Sequence, residues 1–97
     1  LLFNKHKALL TLDSGKYHLN SEKKSVRIRH KESSILVHYN GYNFIAKEPI
    51  GDVYINNIPI YNDEILLGSM VITLGHERLR WDRLFVTFDI SHPEVII

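Results

Sequence analysis

Apolar and polar positions alternate along most of this chain, as they do in strands that lie on a core. Val26-Arg27-Ile28-Arg29 alternates apolar and cationic residues. Ile35, Val37 and Tyr39 share one parity, as do Tyr42, Phe44 and Ala46, then Met70, Ile72 and Leu74. Leu84, Val86, Phe88 and Ile90 repeat the pattern. Successive strand side chains point to opposite faces, so each set can line one side of a sheet. No stretch of about a dozen residues keeps a helical period free of Gly, Pro or Asn, so substantial helix is not expected.

Turn chemistry fits the same division. Asn40-Gly41 separates apolar runs 35–39 and 42–47 and predicts a type I′ hairpin, which needs two positive φ angles. Asp13-Ser14-Gly15-Lys16 joins 8–12 to 17–19, and Asn56-Asn57 joins 53–55 to 58–60. Pro59 cannot donate to a ladder, which assigns its strand to a sheet edge. Gly75-His76 is expected to turn 71–74 into a further strand over 78–81. Eight to ten short strands at close spacing point to an all-β fold, an antiparallel β-sandwich or barrel.

The expected core is Leu10, Leu12, Val26, Ile28, Val37, Phe44, Val53, Ile55, Ile72 and Leu74. Burying such a side chain is worth about 1.5–3 kcal/mol before entropy is counted. Trp81 is expected to plug the core or its rim. Residues 1–81 read as the sandwich and 82–97 as a final strand with a C-terminal extension or linker. Residues 1–7 read as a first strand or a frayed entry. Val95-Ile96-Ile97 can pack back or lead onward.

Ninety-seven residues suit one domain. Twelve basic residues against eleven acidic ones give a net charge of +1, which does not call for nucleic acid or an anionic membrane. The chain has no cysteine, which removes disulfides, thiol catalysis and cysteine-ligated metal. No apolar run approaches the roughly 20 residues of a spanning helix, and none reads as a signal peptide. The chain opens at Leu1 without a methionine and is expected to be a piece of a longer protein.

Candidate chemistry is sparse. The histidines are His6, His18, His30, His38, His76 and His92, and no pair has helical ligand spacing. His30 and His38 can approach across neighbouring strands near Glu32; the plainer alternative is dispersed surface imidazoles. No G-x-S-x-G elbow, spaced carboxylate pair or phosphate-cradling loop is present, so neither catalysis nor a cofactor is expected. Basic residues cluster at Lys23, Lys24, Arg27, Arg29, His30 and Lys31. Arg27 and Arg29 fall on one side of a strand, opposite Val26 and Ile28. That stripe can meet phosphate, an acidic protein or lipid headgroups, or be a solvated face balanced by Glu22 and Glu32.

The stretch from Lys47 to Trp81 carries a family resemblance. Gly51-Asp52-Val53-Tyr54-Ile55-Asn56-Asn57 is followed by Leu67-Gly68-Ser69-Met70-Val71-Ile72-Thr73-Leu74-Gly75. This resembles the C-terminal half of forkhead-associated (FHA) domains, with their Gly-containing turn, short strand ending in Val-Asn-Gly, and later Gly-Asp turn into a strand. Asn56 can hydrogen-bond across a loop, and Asn57 tolerates the left-handed conformation where glycine is usual. Upstream, only the rhythm is similar. Asn20-Ser21 stands where the family has Gly-Arg, and Lys31-Glu32-Ser33-Ser34 occupies the Ser-Arg-x-x-His region. Gly51-Asp52 replaces an Asn-Gly.

The resemblance implies an FHA-like sandwich that docks proteins without reading phosphothreonine, since that needs a fixed guanidinium and donors at the phosphate. It is similar to the degenerate FHA domains at the N-terminus of EssC-type type VII secretion ATPases (FtsK/SpoIIIE family) of Gram-positive bacteria. That implies a cytoplasmic domain of a membrane-bound parent, with other secretion components as protein partners and no nucleic acid. The expected binding surface gathers loops at one end of the sandwich: Asn20, Ser21, Lys23, Lys24, His30, Lys31, Ser33, Ser34, Asp52, Asn56 and Asn57. Rival readings are a working phosphothreonine-peptide binder using Lys23, Arg29 or Lys31, a nucleic-acid-binding barrel on the same basic strip, and a spacer without a ligand.

Overall fold

The computed structural model describes the backbone of residues 2–3, 7–91 and 95–96 and the side chains of residues 7–90. His6, His92, Leu1 and Ile97 lie outside the described residues. The strands in chain order are β1 (Leu2–Phe3), β2 (Lys7–Leu12), β3 (Gly15–Leu19), β4 (Ser25–His30), β5 (Ser33–Tyr39) and β6 (Phe44–Ile50). After them come β7 (Val53–Ile55), β8 (Ile58–Pro59), β9 (Glu64–Leu66), β10 (Met70–Leu74), β11 (Leu84–Ser91) and β12 (Val95–Ile96). A six-stranded sheet has the order β3-β2-β11-β10-β7-β8, and a four-stranded sheet has the order β4-β5-β6-β9. Neighbours in both are antiparallel. β1 and β12 form a separate antiparallel pair.

The protein is an antiparallel β-sandwich. Leu10, Leu19, Ile72, Val86 and Phe88 of the larger sheet share one buried cluster with Ile35, Val37, Phe44, Ala46 and Leu66 of the smaller. Phe44 meets Phe88 edge-on, with ring centres 5.7 Å apart, and so ties the sheets together. Eight of the ten expected core residues are buried. Leu12 and Val26 pack on the margin, Leu12 on β2 beside the edge strand β3 and Val26 on the edge strand β4. Strand β11 lies between β2 and β10, in the middle of the larger sheet.

One hairpin turn departs from expectation. The Asn40-Gly41 connection is a four-residue loop, because Tyr39 pairs with Phe44. Asn40 Oδ1 accepts from the N–H groups of Tyr42 and Asn43 at 2.9 and 2.8 Å, a local bond that closes a wider turn and leaves Tyr42 exposed. The two-residue turn with both φ angles positive is Asn56-Asn57, at 50° and 68°. β8 is an edge strand, as Pro59 requires.

The expected strand over 78–81 is absent. The chain makes successive turns there, with Leu79 N–H donating to the His76 carbonyl and Asp82 N–H to that of Leu79. Both edges of β10 are already paired, to β7 and β11, so no ladder position is open to such a strand. Trp81, expected to plug the core or its rim, is 97% exposed.

Candidate functional site

Three turns meet at one end of the sandwich. β4 ends at His30, and Lys31, with φ of 53°, reverses the chain into β5. The Ser33 hydroxyl accepts from the Asp52 N–H at 3.1 Å, which binds the β4–β5 turn to the β6–β7 turn. The Asp52 carbonyl in turn accepts from the Gly75 N–H at 2.9 Å, bringing in the start of the β10–β11 loop. The return of that loop places Asp82 over the first turn. Its carboxylate receives the Lys31 ammonium and lies 3.3 Å from His30 Nε2. A cleft of about 180 Å³ remains among His30, Ser33, Asp52, His76 and Leu79.

The Lys31 ammonium holds the Asp82 carboxyl below the ordinary aspartate range. Partial burial opposes this and His30 adds to it. A carboxyl depressed in the folded state contributes stability above its unfolded pKa, and that contribution fades as pH falls through the folded value. The wild type is therefore expected to lose stability on acidification below about pH 4 more steeply than Asp82→Asn. Urea midpoints between pH 2 and 6 measure this; parallel curves for the two proteins would contradict it.

The expected site residues divide between regions. His30, Lys31, Ser33 and Asp52 come together, and Ser34 is buried beside them. Asn20, Ser21, Lys23 and Lys24 precede β4, whose first residue pairs with His38 and whose last pairs with Ser33. The five residue steps of β4, roughly 17 Å, lie between that loop and Lys31. In that loop Asn20 Oδ1 accepts from the N–H groups of Glu22 and Lys23, and Lys23 lies over the Tyr17 ring at 5.8 Å. Asn56 and Asn57 follow β7, at the opposite end of that strand from Asp52. Asn56 brackets Val71, donating its N–H to the Val71 carbonyl and accepting the Val71 N–H on its side chain. A single loop-end surface is thus corrected to separate clusters, because loops flanking one strand emerge at its two ends.

His30 and His38 are also separated by the length of β4. His38 Nδ1 pairs with the Ser25 hydroxyl at 2.5 Å. Among the described residues, no three of His, Asp and Glu gather as a metal site requires. Arg27 of the basic stripe is neutralised by Glu48 at 2.7 Å, while Arg29 is exposed with no ion-pair partner among the described residues.

The surface that sequence reasoning missed is the β10–β11 loop itself. Arg78, Leu79, Arg80 and Trp81 are all exposed, and no carboxylate pairs with Arg78 or Arg80 among the described residues. Tryptophan and arginine are enriched among the few residues that carry most of the binding energy of protein interfaces. The run His76-Glu77-Arg78-Leu79-Arg80-Trp81-Asp82-Arg83 carries this signal, but its polar–apolar alternation imitates a strand. No family model, curated protein or solved structure matches the chain.

Proposed function

We propose that this chain is a non-catalytic docking domain, FHA-like in fold, whose partners are proteins. The observation that carries this reading is the β10–β11 loop, which holds Trp81 and Leu79 in solvent beside Arg78 and Arg80, which have no ion-pair partner among the described residues. Large apolar groups displayed this way gain free energy when another surface covers them. The FHA-like fold is supported by the Gly51-Asp52 turn, the Asn56-Asn57 turn bracketing Val71, and the Gly68-Ser69 entry into β10. Resemblance to the degenerate FHA domains of type VII secretion ATPases extends the proposal to docking other secretion components on the cytoplasmic side of a membrane-bound parent.

Phosphothreonine reading is the weaker alternative. Lys31, the cation of the turn cluster, is already engaged by Asp82, and the Ser33 hydroxyl accepts from the Asp52 N–H. A phosphate there would compete with an internal carboxylate. The test is a binding panel of purified secretion components together with phosphothreonine peptides and their unphosphorylated forms. The expected result is retention of a component, weakened on the order of tenfold or more by Trp81→Ala with the melting temperature unchanged. A preference for phosphothreonine that disappears in Lys31→Ala or Arg29→Ala would overturn the proposal.

A further inference from the structure

Thr73 breaks the logic of its sheet. Ile72 and Leu74 enter the core, so alternation turns Thr73 outward, yet its side chain is fully buried. Its register neighbours are Tyr54 on β7 and Phe85 on β11. The guanidinium carbon of Arg83 lies 5.1 Å from the Tyr54 ring centre and 5.6 Å from that of Phe85. Arg83 therefore spans both rings and roofs the threonine between them. Its Nε donates to the Gly75 carbonyl at 3.0 Å. Among the described residues its terminal nitrogens have no acceptor, and Thr73 Oγ1 has no partner.

An arginine fixed by two rings and a carbonyl has lost most of its freedom before any ligand arrives. A planar fork held in this way matches a carboxylate in two parallel hydrogen bonds. Arg27 and Lys31 differ, since Glu48 and Asp82 already neutralise them. The hydroxyl left without a partner under Arg83 is a departure from polar satisfaction, and such departures gather at functional sites. Arg78 and Arg80 add charge of the same sign nearby in the chain, and Phe85, Leu79 and Trp81 add exposed apolar surface.

We propose that Arg83 is a preformed seat for a carboxylate on an acidic segment of a partner protein, with the Trp81 loop covering an apolar residue of that segment. This rests on the docking reading and names the chemistry of the partner. Charge complementarity selects an acidic occupant, because Arg78, Arg80 and Arg83 have no ion-paired acid among the described residues.

Trp81 is the sole tryptophan, so its emission reports on this surface directly. The probe is a peptide alternating Glu and Leu, titrated against the full chain. Its Gln-for-Glu analogue, inorganic phosphate and phosphatidylserine-containing vesicles serve as the other arms. The expected result is a blue shift with the Glu peptide alone, weakening as salt rises. Arg83→Gln is expected to reduce that affinity on the order of tenfold, and Lys16→Ala, at an exposed cation on the edge strand β3, to leave it unchanged. Thr73→Val removes the orphaned hydroxyl and is expected to bind like the wild type at a higher melting temperature, giving a folded background for Arg83→Gln. Equal binding of the Gln analogue, an unaffected Arg83→Gln, or a larger response to phosphate or vesicles would overturn the seat. Retention of a secretion component without any binding of the Glu peptide would also overturn it while docking stands. Binding of the Glu peptide with no component retained would support the seat and overturn the secretion assignment.

Discussion

Phe88→Ala is expected to destabilise the fold by about 3–5 kcal/mol, read as a fall in the urea midpoint at unchanged slope. Phe88 is fully buried on β11, the strand between β2 and β10. Its ring also meets Phe44 across the sandwich, so truncation opens a cavity between the sheets rather than at a margin. The neighbouring walls are Leu10, Ile72 and Val86 on paired strands, which hydrogen-bond ladders hold in place and prevent from collapsing into the void. Against a total stability of about 5–15 kcal/mol for such a domain, this change leaves little margin. A loss below about 1.5 kcal/mol would mean that the sheets repack freely and that the aromatic bridge is not central.

Gly51→Ala is expected to cost about 2–3 kcal/mol, from two sources that add. The residue has φ of 71°, in the left-handed region that resists a side chain. A Cβ there would also stand 2.8 Å from both the Glu32 carbonyl oxygen and the Ser33 hydroxyl. The carbonyl is backbone, so the β4–β5 turn itself has to move. Gly41→Ala separates the two sources: its φ is 100°, but nothing lies within 4 Å of a Cβ. It should cost about 1 kcal/mol, close to the conformational term alone. Equal losses for both variants, measured by urea unfolding, would show that the contact with the β4–β5 turn is unimportant. The position also matters for the site, since a shifted turn loosens the Ser33–Asp52 bond and the Lys31–Asp82 pair.

Much of the fold was legible because strand alternation is a local property. The sets beginning at Ile35 and Leu84 fall on the core face as their parity requires, and Pro59 marks an edge. The site was less legible because turns compete locally and surfaces form globally. Asn40 carries the strongest short hairpin signal, yet its side chain caps two N–H groups and widens the loop. Residues 78–81 alternate like a strand but find both edges of β10 occupied.

Periodicity and turn residues by themselves determined that this chain forms an all-β antiparallel fold, a sandwich or a barrel, since the burial of alternate side chains is written into neighbouring positions. Tertiary structure alone decided which loops share an end, that Asp82 closes on Lys31 across fifty-one positions, and that Arg83 roofs Thr73. The physical reason is that sheet order sets these distances. No local pattern records that β11 threads between β2 and β10, and that placement turns an apparent strand into an exposed loop of arginine and tryptophan.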